Sequence, residues 1–570
     1  MARVRHIQIR NFRGIAALDW APSPGVNCLI GPGDSGKTTV LDAVDLCLGA
    51  RRSVPFSDAD FHNLDIEQPI SIAVTLGDLP ETLRSMEGFG LYLRNFDAAT
   101  GAIDDEPERS GETVLTLQLT VSSDLEPVWA LTSQRAVAQS QSRGLAWSDR
   151  LQLAPVRIGG SGELNLGWRR GSVLNRLSDE KADASAALIK AVREARAGFG
   201  DQAATQLATT LDIVKAVAND LGIKLEGDAA RALLDAQSVS FAGGTVSLHD
   251  GRGVPLREMG VGSTRLLIAG LQRKAASQAG LTLVDELEHG LEPHRIIRLI
   301  ASLGAKEKNP PLQVFATTHS PVAVRELAAS QLHVVRKQGD HHEVIPVGAA
   351  ADDVQGTIRR FPEAFLASSV IVCEGASEVG LLRGLDLYLV RQGKSDYQSL
   401  AAKGVALVDA GGVSQLYDRV NAFVALGFRA LALRDDDKQP PADVEQAFLH
   451  GGGTVVMWRS GRALEDELFQ SLPDDAVLAL IDRGIELHGE KLIDDHLRSA
   501  SGGKLSLSDR GALLLPANRP VVGKAARSNK GWFKTVSWME DVAADIIGPH
   551  LIAADEGFQE RVLDVFRWMA

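Results

Sequence analysis

The sequence predicts an α/β protein of two sheet-built units. The first is interrupted by a helical insertion, and the second is completed by a helical tail. Three observations predict this. A glycine-rich loop, Gly31 to Thr38, follows the apolar run Val26–Ile30 and opens a helical pattern. Past residue 368, three apolar runs end in carboxylates and alternate with helix-like segments, the pattern of a parallel sheet. Residues 172–236 are rich in Ala, Leu and charge with almost no Pro, which predicts helices.

At 570 residues the chain exceeds what one hydrophobic core serves. We divide it into a first unit in two parts (1–171 and 237–350), a helical insertion suited to dimerisation (172–236), a second sheet unit (367–475) and a helical extension (476–570). Hydrophobic residues are 45% and charged residues 23%, ordinary globular values. The net charge of −13 argues against an overall basic surface but leaves local basic patches open. The charged N-terminus has no apolar core of a signal peptide, and no apolar stretch approaches the ~20 residues of a membrane span. Cys28, Cys47 and Cys373 lie in apolar runs and read as reduced core residues, so a cytoplasmic location without a membrane partner is expected.

In chain order, Val4–Phe12 alternates apolar and polar like a half-buried strand, and Ala17–Trp20 follows as another. A turn at Pro22–Gly25 leads into Val26–Ile30, the loop, and a helix over Lys37–Leu48. Ile70–Leu76 and Val114–Val121 read as strands, and the polar, turn-rich Asp97–Gly111 as a mobile loop. Strand patterns resume near Val239 and continue through Leu281–Val284 and Leu312–Ala316. In the second unit, helices are expected at 376–391, 413–425 and 441–449, and 461–570 is mostly helical.

A glycine-rich loop between strand and helix binds phosphate through backbone N–H groups and the helix dipole. Gly31, Gly33, Ser35, Gly36, Lys37, Thr38 and Thr39 are therefore the nucleotide-binding candidates, with Lys37 reaching the β/γ-phosphates and Thr38 holding Mg²⁺. Leu281–Val284 ends in Asp285 and Glu286, which suit support of Mg²⁺ and orientation of the attacking water. His319 ends a third strand, within reach of a γ-phosphate in such a site. Gly260, Gly262 and Ser263 precede a helical pattern and offer N–H donors to an anion. ATP is the expected cofactor.

In the second unit Glu374 ends one apolar run, with Glu378 a helical turn later; Asp409 ends the next; Asp435 and Asp437 end the third. Strands of a parallel sheet share one carboxyl edge, so these acids would converge there. Converging carboxylates repel unless hard cations sit between them. Two Mg²⁺ or Mn²⁺ ions held in this way could activate water against a phosphodiester.

The order Gly31–Thr38, 256–265, Asp285/Glu286 and His319 resembles the Walker A, signature, Walker B and switch histidine of ABC-type ATPases of the SMC and DNA-repair kind. That resemblance implies two heads around sandwiched ATP, hence a homo-oligomer. Gln68 is the nearest match to their Q-loop glutamine. The later set resembles the TOPRIM domain, with Glu374, Asp409, Asp435 and Asp437 on its motif positions and Asp436 turned away. The whole chain is similar to the OLD (overcoming lysogenisation defect) nucleases, which include the nuclease of the Gabija phage-defence system. This resemblance implies a further acidic pair, matched by Glu465 and Glu467, and a late lysine, either Lys530 or Lys534. Glu465 is preferred because it lies closer to the strand. The implied activity is ATP-regulated, metal-dependent cutting of DNA in antiphage defence or repair, and a helicase is a further candidate partner. The alternative is an SMC-like DNA-repair ATPase whose second unit binds nucleic acid without cutting it.

Overall fold

The computed structural model describes residues 2–569 apart from 107–110, 160–164, 167–171, 178–189, 192, 195–197, 199–204, 221–246, 276–279, 351–353, 394–396, 460 and 529–530. Two sheets organise the chain. The first has 13 strands and joins a parallel half to an antiparallel half. In the parallel half, Leu332–Gln338, Val26–Ile30, Gln313–Thr317, Leu281–Val284 and Val156–Ile158 lie side by side in that order. The four middle and outer pairings are all parallel. Their carboxyl ends therefore carry the glycine-rich loop, Asp285/Glu286 and His319 along one edge. In the antiparallel half, Arg3–Phe12 pairs with Ile15–Trp20 and Ile70–Gly77, and the latter pairs with Glu112–Val121.

Several elements differ from the pattern read in sequence. Ile103–Asp104, within the expected mobile loop, pairs as a short strand with Leu93–Phe96. Pro127–Thr132 adds a strand to Glu112–Val121. Leu332–Gln338 and His341–Pro346 form a hairpin that bridges the two halves, by pairing with Val26–Ile30 on one side and Ile15–Trp20 on the other. The turn between them uses Gly339 at φ 61°, a conformation that favours glycine. Of the expected helical insertion, Val173–Leu177 and Ala208–Asp220 are helices. Much of 172–236, and the strand expected near Val239, lie outside the described residues.

The second sheet is wholly parallel, in the order Val405–Asp409, Ser369–Cys373, Arg429–Arg434, Thr454–Met457. Helices Ala376–Arg391, Val413–Ala425 and Ala442–His450 make its crossovers. The chain steps from its first strand to one side and then returns to the other. Strand order thus reverses between Ser369–Cys373 and Arg429–Arg434, and the crevice at their carboxyl ends is where such folds bind ligands.

This sheet is buried on both faces, as parallel sheets are. Val370, Val372, Ala430 and Ala432 join one cluster with Val314, Phe365 and Phe423, shared with the first unit. Ile371, Cys373, Leu431 and Leu433 join another with Trp458, Phe469, Trp532, Phe533 and Met539 of the C-terminal helices. The tail is therefore the second cover of the sheet. All three cysteines are free and buried. No helix among the described residues is long and apolar enough to cross a membrane.

Gly380 and Gly384, one turn apart on Ala376–Arg391, let this helix lie directly on the 536–547 segment. A Cβ on Gly384 would stand 2.2 Å from the Glu540 carbonyl oxygen and 2.6 Å from Ala543 Cβ. Gly384→Val should overpack this contact and destabilise the protein by about 1–3 kcal/mol. Thermal denaturation should show a clear fall in Tm, and an unchanged Tm would mean that the helices are not in such close contact.

Candidate functional site

The nucleotide loop is shaped by residues that accept left-handed backbone: Gly31 at φ 133°, Asp34 at φ 57° and Gly36 at φ 87°. Gly31 must be small, since a Cβ there would meet the Val335 carbonyl oxygen at 2.9 Å. Gly36 then caps the helix Lys37–Leu48. The ammonium of Lys37 donates to the carbonyls of Gly31 (3.1 Å) and Pro32 (2.6 Å) and to Ser35 Oγ (3.3 Å). Burial pushes its pKa down to about 8, against the pull of Asp34, Asp285 and Glu288. Gly33 is exposed on the loop, Thr38 is exposed in the first turn of the helix, and Thr39 is half-buried.

Thr38 Oγ1 donates to Asp285 Oδ1 at 3.2 Å, and Thr317 Oγ1 donates to the same oxygen at 2.7 Å. Glu286 is exposed at φ 48°, a strained setting for a non-glycine residue, and its N–H donates to Thr317 Oγ1. His319 is exposed at the end of its strand; its N–H donates to Glu288 at 2.7 Å. Gln68 stands exposed just ahead of the strand Ile70–Gly77, and its carbonyl accepts from Asn11.

The signature segment departs from its reading. Its helix begins at Val261, so Gly262 and Ser263 lie in the first turn rather than before it, with Gly260 as the cap. Gly262 is needed for close approach, since a Cβ there would stand 2.4 Å from the Gly290 carbonyl oxygen. Buried Arg265, one turn on, donates to the Asp285 (2.9 Å) and Glu286 (2.8 Å) carbonyls, tying this helix to the acidic strand end. Arg265, Glu288 and Arg157, which reaches Asp285 at 3.4 Å and Asp42 at 2.7 Å, were not singled out in the sequence. Their partners lie far off in the chain.

At the switch point of the second sheet, Glu374 Oε2 accepts from the Asp435 N–H (3.0 Å) and Asp435 Oδ1 from the Leu464 N–H (2.9 Å). Glu378 folds back onto the Gly375 N–H (3.0 Å). Burial raises the pKa of Glu374, reinforced by Asp437. Burial also raises Glu378, with repulsion from Glu465 and Glu374. Asp435 rises for the same reasons, burial first and then Glu378, Glu374, Glu465 and Asp437. Glu465, 5% exposed, is raised by burial and opposed by the charge of Lys534. Five carboxylates, Glu374, Glu378, Asp435, Asp437 and Glu465, thus share one field. No group of three or more His, Cys, Asp or Glu side chains is ready-made to hold a metal among the described residues. Glu374, Glu378 and Asp435 are turned onto backbone N–H groups instead, and Asp437 onto Arg527. Their hard oxygen donors and mutual repulsion nonetheless fit a hard divalent cation.

Asp409 is set apart. It ends the outer strand, beyond the switch point, where Arg360 (3.3 Å) and the Gly411 N–H (2.8 Å) hold it. Asp436 is turned away, onto Arg434 and the Gly461 N–H. Glu467 is a correction. It is fully buried and takes hydrogen bonds from Arg459, Arg462 and Ser471, which leaves it no free oxygen for a metal. Helix geometry explains this, because residues two apart on Leu464–Ser471 face different sides. Lys534 is exposed with its charge acting on Glu465, while Lys530 lies outside the described residues. Sequence reasoning missed Asp466 and Arg527. Arg527 bridges Asp437 (2.9 Å) and Asp466 (3.3 Å) from the C-terminal helices.

Residues 26–325 match the family described as "AAA domain, putative AbiEii toxin, Type IV TA system". Residues 365–437 match "Overcoming lysogenization defect protein-like, TOPRIM domain". An OLD nuclease of Thermus scotoductus is 25% identical over 470 residues, covering 77% of this chain and 82% of that protein. The DNA replication and repair protein RecF of Vibrio vulnificus is 60% identical over 45 residues, only 8% of this chain and 12% of that one. A solved SMC head bound to the C-winged helix domain of ScpA aligns at TM-score 0.34 and 15% identity, over 60% of this chain and 96% of that one.

Glu467 should prove structural. Glu467→Leu would leave Arg462 without its carboxylate and Arg459 with Asp555 and Ser471 alone; because these arginines are part-exposed, the loss should be about 2 kcal/mol. Tm should fall while Mn²⁺ binding survives at a temperature where the variant is folded. Lost Mn²⁺ binding with an unchanged Tm would return Glu467 to the metal site.

Proposed function

Because this chain belongs to the OLD family, an AAA-type ATPase joined to a TOPRIM nuclease domain, we propose that it is an ATP-regulated, divalent-metal-dependent DNA endonuclease of antiphage defence or DNA repair. One observation carries this reading: five carboxylates drawn together at the switch point of a parallel sheet, where burial and acidic neighbours raise Glu374, Glu378 and Asp435. A binding-only domain has no need of such repulsion.

In the ATPase site the N–H groups of the 31–36 loop and the Lys37 ammonium take the phosphates. Thr38 and Asp285, already hydrogen-bonded, are placed to hold Mg²⁺. Glu286 is free to orient water, and His319 to meet the γ-phosphate. The Gly260–Ser263 helix start is exposed at Gly260 and Val261, as suits contact with the nucleotide of a second subunit. A homo-oligomer of at least two heads follows from this reading.

In the nuclease site Glu374, Glu378, Asp435, Asp437 and Glu465 would hold two Mg²⁺ or Mn²⁺ ions. Such ions, when bound, lower the pKa of water and neutralise charge on the phosphodiester. Glu374, half-buried and lifted above the usual carboxylate range, suits taking the proton of the attacking water. Lys534, beside Glu465, is placed to stabilise the crowded phosphate. The reaction belongs to the cytoplasm, where DNA and ATP meet.

The test is plasmid cleavage. Wild-type protein should nick or cut DNA with Mg²⁺ or Mn²⁺ and be silent in EDTA. Asp435→Ala should lower cleavage by orders of magnitude, about 10²-fold or more, while ATP hydrolysis persists. Asp435→Ala protein that cuts like wild type would leave an ATPase that only binds DNA. Lys37→Ala should do the reverse at the head and abolish ATP turnover, read as phosphate release; normal turnover would remove the nucleotide site from this loop.

A further inference from the structure

We propose that Arg527 is a positioning residue of the nuclease, a resident counter-cation that spans Asp437 and Asp466 and must yield when a divalent metal takes the site. The inference rests on the metal-dependent reading above and adds to it a protein group that competes with the metal.

The chain brings Arg527 there by a specific contact. Helix Arg519–Ala526 lies on helix Leu464–Ser471 at Gly523. A Cβ on Gly523 would stand 2.9 Å from Asp466 Oδ1, 3.0 Å from Asp466 Cα and 3.2 Å from the Glu465 carbonyl oxygen, so a side chain there would turn Asp466 aside and push the helices apart by a few tenths of an ångström. Arg527 follows four residues later, on the same face. It reaches past Asp466 (3.3 Å) to Asp437 (2.9 Å). The next residue is anchored separately, with Ser528 Oγ 2.8 Å from His496 Nδ1. The guanidinium is therefore delivered by a packed helix end rather than by a free side chain on a loop.

Its position has an electrostatic consequence. Asp437 adds to the charge that lifts Glu374 and Asp435, and Asp437 and Asp466 repel each other. Arg527 pulls the other way on both Asp466 and Glu465. A fixed positive charge on these carboxylates steadies them in the absence of another cation and weakens their attraction for one. A metal entering at Asp437 has to displace the guanidinium from Oδ2. Arg527 thus sets how much free divalent cation the nuclease needs, and it does so through one nitrogen, Nη1, that faces both carboxylates.

The test is a Mn²⁺ binding isotherm on the full-length protein without DNA, by calorimetry or by the EPR signal of free Mn²⁺. Arg527→Ala and Arg527→Gln should bind Mn²⁺ about 3- to 10-fold more tightly than wild type, the scale of a partly exposed double ion pair. Arg527→Lys should fall between. Lys524→Ala, which removes an exposed cation from the same helix, should leave the Kd unchanged. Tighter binding in the Ala and Gln variants with no change in Lys524→Ala supports the counter-cation. A Kd unchanged or weakened in both Arg527 variants overturns it, as does an equal tightening in Lys524→Ala, which would reflect general charge alone. Wild-type plasmid cleavage separates the two levels of inference. A wild type that binds Mn²⁺ and cuts, with Arg527 variants of equal affinity, removes only the role of Arg527. A wild type that neither binds Mn²⁺ nor cuts removes the nuclease reading and this inference together.

Discussion

Like-charge repulsion at one end of the second sheet is the constraint around which the C-terminal half is arranged. Five carboxylates meet where strand order reverses, and the burial of Glu378 and Glu465 and partial burial of Glu374 and Asp435 weaken the screening that solvent would give. The surroundings relieve that strain piece by piece. Backbone N–H groups of Gly375, Asp435 and Leu464 take one oxygen each of Glu378, Glu374 and Asp435. Arg434, 1% exposed, draws Asp436 out of the cluster and binds the Asp435 carbonyl at 2.8 Å, which fixes the loop between the two flanking aspartates. Arg459 and Arg462 absorb Glu467 entirely. A cluster so managed is poised for a divalent cation without being collapsed around one.

The same sheet explains why ATPase and nuclease share one chain. A parallel strand alternates its side chains between two faces, and both faces here must be covered. One cover comes from the C-terminal helices, which bring Glu465, Arg527 and Lys534 with them. The other comes from the first unit, through a common apolar cluster. Polar contacts follow it: Arg336 lies 3.7 Å from the centroid of the Phe428 ring, and Arg325 donates to the Arg359 carbonyl at 3.1 Å, one residue before the Arg360 that holds Asp409. Helix Pro321–Glu326, which carries Arg325, begins directly after His319 and Ser320. The nucleotide edge and the nuclease edge are thus joined by packed elements, the path that the proposed ATP regulation would use.

At the head, too, the strand-end residues are held by groups outside the glycine-rich loop. Glu286 sits in a strained conformation, and the carbonyl of that residue is held by Arg265 from the signature helix. Strain of this kind persists only where the surroundings over-determine it. Glu288 does similar work for the strand end at His319, by accepting from both Thr318 Oγ1 and the His319 N–H.

The sequence alone determined the class of fold and the two acidic strand-end sets, because an apolar run followed by Gly-rich loop or carboxylate is a local pattern. Hydrophobic burial forces such a run into a sheet, and its end residues must then emerge at the edge. Local pattern failed where the partner is distant or the period is short. The strands Leu93–Phe96, Pro127–Thr132 and the 332–346 hairpin are defined by their pairing, not by a strong alternation of their own. Closeness to the strand favours Glu465 over Glu467 in sequence but does not exclude Glu467; the placement of their helix does, by turning one toward the cluster and the other onto two arginines. Asp409 matches its neighbours in motif, yet the strand order puts it on the outer strand and away from the switch point. Arg527 lies 90 residues from Asp437 and has no motif to announce it. Its role depends on the approach of two helices at a glycine, and that is a matter of packing, which tertiary structure alone decides.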